Sequence, residues 1–124
     1  MQEKGCIFVV EPDDLMLGLL ERWLGDAGYT VLVGTWQSLH QAVGQGREPH
    51  LIIVDVPTPR SAEKIVASIR KVLASPILLL STSFRRGTGS SMSLASQLGA
   101  RNVLPKPFTR SELLSAVSES MDRR

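Results

Sequence analysis

The sequence has a single cysteine, Cys6, so no internal disulfide can staple the fold and stability must come from a packed core. Set in the first apolar run, Cys6 reads as a small buried hydrophobe, and its isolation fits a reducing compartment. Aromatic residues are sparse at 5%, which leaves a 43% hydrophobic chain to build its core from aliphatic side chains. No apolar run approaches the roughly 18 residues a membrane helix needs. The N-terminus also lacks the basic region and long apolar segment that mark secretion. Neither sign of charge dominates, with 14 Lys and Arg against 12 Asp and Glu, a net charge of +2. That balance does not support direct nucleic-acid binding on electrostatics alone, although a pI of 9.0 allows a local basic patch. Arg85, Arg86 and Arg110 are the candidates for it, and they read as a solvated face. His40 and His50 stand apart with no cluster around them, so they do not suggest a transition-metal site. These exclusions point to a soluble, cytoplasmic chain of 124 residues, one domain over 1–124 with one core.

What is present is an alternation. Cys6 to Val10 reads as a strand closed by Glu11-Pro12. Asp13 and Asp14 suit the N-terminus of a helix running to about Ala27, with Leu15, Leu19, Leu20, Trp23, Leu24 and Ala27 as its apolar stripe and Gly28 as its stop. Tyr29 to Val33 reads as a second strand. Thr35 caps a helix to about Val43, with Trp36, Leu39 and Val43 on one side. Leu51 to Asp55 is a third strand, wholly apolar until its last residue, and Pro57 and Pro59 stop it from continuing. Ser61 is placed to cap a helix whose stripe is Ile65, Ile69, Val72 and Leu73. Pro76 to Leu80 is a fourth strand, followed by a polar loop over 84–91 and a short helix with Met92, Ala95 and Leu98. Asn102 to Leu104 makes a fifth strand. Thr109 and Glu112 form a capping box for a last helix with Leu113, Leu114, Val117 and Met121 inward, ending at Arg123-Arg124.

Strand followed by helix, five times over, with short connections, implies a parallel sheet covered on both faces. Right-handed crossovers then favour a doubly wound, flavodoxin-like α/β fold with five strands in the order 2-1-3-4-5. In such a sheet the strand C-termini share one edge, where ligands and chemistry sit. That edge would carry Glu11, Asp55, Ser81 and Lys106. Two carboxylates, a hydroxyl and an ammonium together suggest phosphate chemistry: carboxylate oxygens suit magnesium, and a carboxylate can itself accept a phosphoryl group. The lysine and hydroxyl would stabilise the phosphoryl oxygens.

At these residues the chain resembles the CheY-like receiver domains of two-component response regulators, over nearly its full length. The likeness rests on the acid after the first strand (Val9-Val10-Glu11), Asp55 with Pro59 four residues later, and the hydroxyl of Ser81. Gly99-Ala100 through Lys106-Pro107-Phe108 completes it and is its most specific part. The resemblance implies that Asp55 is the phosphoacceptor of a phosphorelay, that Ser81 bonds the phosphoryl group, and that Lys106 pairs with its oxygens. It assigns magnesium to Glu11, Asp55 and the Pro57 carbonyl, and a cis bond to Lys106–Pro107. It also implies a sensor histidine kinase or histidine phosphotransfer protein as partner. The face of the fourth helix, fifth strand and last helix would be a dimer or output surface, and the domain would signal rather than turn over a substrate as an enzyme.

Three positions depart from that pattern. Pro12 stands where a second acid is usual, and Asp13 belongs by position to the helix, so magnesium should bind weakly. Thr82 replaces a small residue beside the phosphoryl site. Val103 replaces the aromatic residue whose rotation reports phosphorylation in the family, so a response should appear as ordering of 84–91. The alternative reading is a pseudo-receiver, an interaction or dimerisation module not governed by phosphate. A flavin or nucleotide domain would need a phosphate loop where Glu11-Pro12-Asp13-Asp14 would repel phosphate. A phosphohydrolase of the aspartyl-phosphate type would want an acid where Pro57 stands.

Overall fold

The computed structural model describes residues 5–46, 48–82 and 99–121. Five parallel strands form one sheet in the order β2-β1-β3-β4-β5: β1 (Cys6–Val10), β2 (Thr30–Val33), β3 (Leu51–Asp55), β4 (Ile77–Ser81) and β5 (Asn102–Pro105). Among the described residues four helices lie between and after them: α1 (Asp14–Asp26), α2 (Trp36–Gly44), α3 (Pro59–Arg70) and α4 (Arg110–Met121). The doubly wound order expected from the alternation is the order found. The polar loop at 84–91, the short helix with Met92, Ala95 and Leu98, and Arg123-Arg124 lie outside the described residues, as do the side chains of Trp36 and Val43.

The strands are apolar except near their ends, because the sheet is buried on both faces. Side chains alternate between the two. Phe8, Ile52, Val54, Ile77, Leu79 and Val103 point to one face, where Leu39 of α2 and Ala62, Val66 and Ile69 of α3 cover them. Ile7, Val9, Leu51, Ile53, Leu78, Leu80 and Leu104 point to the other, against Leu20 and Leu24 of α1 and Leu113, Ala116 and Val117 of α4. Cys6 is only half-buried, not the core residue expected. Its backbone N–H donates to His50 Nδ1 at 2.9 Å, and the His50 N–H donates back to the Cys6 carbonyl at 2.8 Å, tying the start of β1 to the start of β3.

Helix ends follow local chemistry. Asp13 caps α1, its side chain accepting the Leu15 N–H, and Gly28 follows the C-cap at φ 103°, a left-handed position glycine takes without strain. Thr35 accepts the Ser38 N–H at 3.3 Å as the cap of α2. Thr109 and Glu112 make the expected reciprocal box, with bonds of 2.8 and 3.1 Å.

Two readings of helix phase are corrected. The stripe of α1 does not include Leu15 and Leu19, which are 82% and 40% exposed. Met16 and Leu17 turn inward instead and pack against the core beside Trp23. Apolar residues at 15, 16, 17, 19 and 20 surround most of the first turns, so spacing alone could not fix which arc meets the sheet. In α3 the cap is Thr58, which accepts the Ser61 N–H at 3.1 Å, with proline in the first turn; Ser61 lies inside the helix. The buried stripe of α3 is Ala62, Val66 and Ile69, continued by Leu73 just past its end, with the expected Ile65 half-buried against the same core, while Val72 is 39% exposed.

This phase has a direct consequence. Leu20→Ala should cost about 2–5 kcal/mol by emptying core volume, whereas Leu15→Ala should change stability by less than about 0.5 kcal/mol. Urea unfolding of the two variants checks the difference; equal losses would contradict the buried arc described.

Candidate functional site

Parallel register brings the strand C-termini to one edge. Val10 pairs with Val54, Asp55 with Leu80, and Ser81 with Pro105. Two loop bonds extend the ladder past the strand ends: Val56 N–H to the Leu80 carbonyl at 2.8 Å, and Lys106 N–H to the Ser81 carbonyl at 2.9 Å. The second places Lys106 immediately outside β5 and beside β4. Its peptide bond to Pro107 is cis, as the resemblance implied. Upstream, Gly99 takes φ 82°, and a Cβ there would meet Val66 Cγ1 at 3.2 Å, which accounts for glycine at that turn.

Lys106 reaches across the edge to both acids. Its Nζ lies 2.8 Å from Glu11 Oε1 and 2.7 Å from Asp55 Oδ1. The lysine side chain is 12% exposed, Glu11 1% and Asp55 20%, so the cluster is nearly closed, with Asp55 its most accessible member. Burial works against the Lys106 charge, but the hydrogen bonds it donates to Asp55 and Glu11, and the Coulomb attraction of those carboxylates, outweigh it and hold the ammonium above the usual lysine range. Glu11 Oε2 accepts the Asp13 N–H at 3.2 Å. Ser81 is wholly buried and meets the site through its carbonyl, while Pro57 sits in the exposed bend that follows β3. The structure therefore brings Glu11, Asp55 and Lys106 into one hydrogen-bonded group. What sequence reading missed is the Glu11–Lys106 contact itself, which spans 95 positions and has no local signal.

The departures are equally visible. Pro12 and Asp13 are exposed, and the Asp13 carboxylate is turned onto the Leu15 N–H, so it does not replace the missing acid. Thr82 is exposed, and Val103 is buried at 3% exposure in the core against α3.

No protein-family profile matches the chain. Among curated proteins, PetR of Rhodobacter capsulatus is 30% identical over 118 residues. NtrC, a DNA-binding transcriptional regulator of a Bradyrhizobium species, is 32% identical over 120 residues. Each alignment covers 94% of this chain, which spans 48% of the length of PetR and 24% of that of NtrC. Among solved structures, the N-terminal domain of the nisin resistance regulator NsrR, a lantibiotic response regulator, superposes with a TM-score of 0.75. It is 27% identical, over 96% of this chain and 99% of that one. The chemotaxis response regulator CheY4 of Vibrio cholerae shares the fold, with a TM-score of 0.72 and 24% identity over 94% of this chain and 98% of that one. These likenesses define the class: the chain has the fold of CheY-like receiver domains and is similar in sequence to response regulators.

Receiver domains of this class generally depend on magnesium. The donors here fit a cation, since two carboxylates converge within hydrogen-bond reach of a single nitrogen and offer the hard oxygens magnesium prefers. They do not fit one tightly. Among the described residues no group of three or more acids, histidines or cysteines is gathered, and the ammonium already stands between the two carboxylates.

The Lys106 ammonium should be a structural charge as well. Lys106→Met leaves Glu11 buried and unpaired, a loss of about 3 kcal/mol by the usual cost of breaking a buried pair. Lys106→Met with Glu11→Gln should lose less than the single lysine variant, because the orphaned charge has gone. Denaturant unfolding of both variants measures this coupling. Since the folded state holds the lysine above its ordinary value, the ammonium's contribution is complete below the unfolded value of about 10.4. It fades only as pH rises through the raised one.

Proposed function

We propose that this receiver domain accepts a phosphoryl group on Asp55 from a sensor histidine kinase or histidine phosphotransfer protein. The observation that carries the reading is the placement of Asp55 at the end of β3, partly exposed, with Lys106 on one of its oxygens. Oδ1 is taken by the ammonium, and Oδ2 has no hydrogen bond among the described residues. Oδ2 is therefore the oxygen that attacks phosphorus. The phosphorus–nitrogen bond to the donor imidazole breaks as the acyl phosphate forms, and the imidazole leaves with the bonding pair and takes a proton. Lys106, released from Oδ1, then pairs with the phosphoryl oxygens and offsets their charge. The Ser81 hydroxyl would bond the same group after a small movement out of its buried position.

Magnesium would take oxygen donors from Asp55, the Pro57 carbonyl and Glu11, and when bound it supplies charge neutralisation for the incoming phosphate. Pro12 removes one anionic donor, so the ion is held weakly. The domain would act in the cytoplasm as a signalling module with no substrate turnover of its own. Its output or homodimer surface would include β5 and α4 together with the segment between β4 and β5.

A second reading has its own observation. Asp13 is committed to capping α1, and the ammonium occupies the space between the carboxylates. A pseudo-receiver that binds partners without phosphate would look the same at rest.

One experiment separates the two. With a small acyl-phosphate donor and magnesium, intact mass should rise by one phosphoryl group, and Asp55→Asn should abolish the rise. An equal rise in Asp55→Asn would remove the assignment, and no modification of the parent chain with any donor would support the pseudo-receiver. Pro12→Asp should lower the magnesium needed for half-maximal modification by about 10-fold, the scale on which site partners alter metal affinity. Titration calorimetry checks the same change directly, and unaltered affinity in a folded Pro12→Asp chain would contradict the account of weak binding.

A further inference from the structure

The two edges of the sheet are finished differently. β5 is buried at all four of its positions, whereas none of the four in β2 is buried, and Val33 is 41% exposed. Among the described residues β2 pairs with β1 alone. Two bonds fix which of its backbone groups are used: the Thr30 N–H donates to the Gly5 carbonyl at 2.9 Å, and the Gly34 N–H to the Val9 carbonyl at 3.2 Å. Backbone groups alternate in direction along a strand. Thr30, Leu32 and Gly34 therefore bond inward, and the N–H and carbonyl of Val31 and Val33 face out of the sheet. Such a row of outward donors and acceptors is a template for a further strand, and edges are usually blunted by a charge, a proline or a bulge. Here no charged residue or proline stands between Tyr29 and Thr35, and the register with β1 runs without a bulge. The stretch is also complementary to itself. Val31-Leu32-Val33 reads the same in both directions, so antiparallel pairing about a two-fold axis at Leu32 sets Val31 of one copy opposite Val33 of the other. These become hydrogen-bonded positions, at which opposed residues exchange both N–H···O bonds. Leucine meets leucine on the face packed by α2 and α3, and valine meets valine on the face packed by α1 and α4. One step further out Thr30 lies opposite Gly34, and no like charges are opposed.

We infer that β2 is a self-association edge: two copies join antiparallel through Val31 and Val33 into one sheet with five strands from each. A second copy fits this edge better than a foreign strand, because the axis pairs like apolar side chains and each copy carries a net charge of only +2. The same patch is used on both copies, so the contact closes at a dimer. A four-residue edge falls short of the roughly 1,000 Å² of a stable interface, so the dimer is weak and forms with concentration. The inference does not depend on phosphoryl transfer, and its surface lies at the opposite edge of the sheet from β5.

Sedimentation equilibrium of the whole chain, joined to amide hydrogen exchange, tests this. Between about 10 μM and about 1 mM the average mass should climb from 13.5 kDa towards twice that value, with no larger species. Over the same range exchange of the Val31 and Val33 amides should slow by about fivefold or more. The Thr30 and Gly34 amides, already bonded to β1, should change less. Val33→Pro removes an outward N–H and no bond within the copy. It should leave the chain folded and weaken association by about tenfold or more, since two of the four bonds across the axis are lost. Val33→Thr keeps the N–H and the β-branched shape, and should hold the dimer within about threefold of the parent. A chain that stays monomeric at about 1 mM overturns the inference. So does a dimer that leaves the Val31 and Val33 amides unslowed, or one that survives Val33→Pro, because its copies are then joined elsewhere. If Val33→Pro does not fold, Val33→Lys sets a solvated ammonium on the same edge, and an undiminished dimer in that variant is equally decisive.

Discussion

The ammonium of Lys106 between Glu11 and Asp55 is the contact on which the rest of the site depends. It joins the ends of β1 and β3 to the loop that leaves β5, elements that share no other polar side-chain contact at this edge among the described residues. Burying three charges is expensive, and the arrangement is tolerable because one cation answers two anions at hydrogen-bond distance. The lysine is accordingly held in its charged form against the pull of burial. Asp55 keeps enough exposure to meet a reagent from solution, while Glu11 is sealed in.

The fold exists, for this purpose, to bring those three groups together. A sheet with apolar side chains on both faces leaves polar residues a place only at strand ends, and parallel register puts those ends side by side. The backbone bond from Lys106 to Ser81 and that from Val56 to Leu80 continue the register one residue beyond the strands, where the functional side chains begin. The cores that hold this register are aliphatic, with helices of matched apolar arcs on each face. In an edge built this way the cation, the partly exposed carboxylate and the opening to solvent are all fixed by the same ladder.

Much of this was legible in the residues. Alternating apolar runs and helical patterns pointed to the doubly wound strand order that is found, the placement of Asp55 and Lys106 at strand ends followed from short segments with distinctive punctuation, and the cis Lys106–Pro107 bond was implied by the family resemblance. What was not legible had physical causes. The arc of α1 that meets the sheet was obscured because Leu15, Met16, Leu17, Leu19 and Leu20 are all apolar, and only tertiary packing chooses among them. Thr58 was passed over as the cap of α3 in favour of Ser61 because both are hydroxyl residues near a proline. The role of Glu11 was hidden for a different reason: its partner stands 95 residues away, and no local pattern announces a contact of that range.

The account stands or falls on whether Lys106 is poised to transfer its hold from Asp55 to a phosphoryl group. The most direct measurement is a crystal structure of the chain grown with magnesium and beryllium fluoride, a tetrahedral mimic of an acyl phosphate. The account predicts the mimic on Asp55 Oδ2, with Lys106 Nζ moved from Asp55 Oδ1 to a fluorine and still bonded to Glu11. A structure in which Asp55 carries no mimic at saturating beryllium fluoride, with Lys106 still seated on Oδ1, would contradict it.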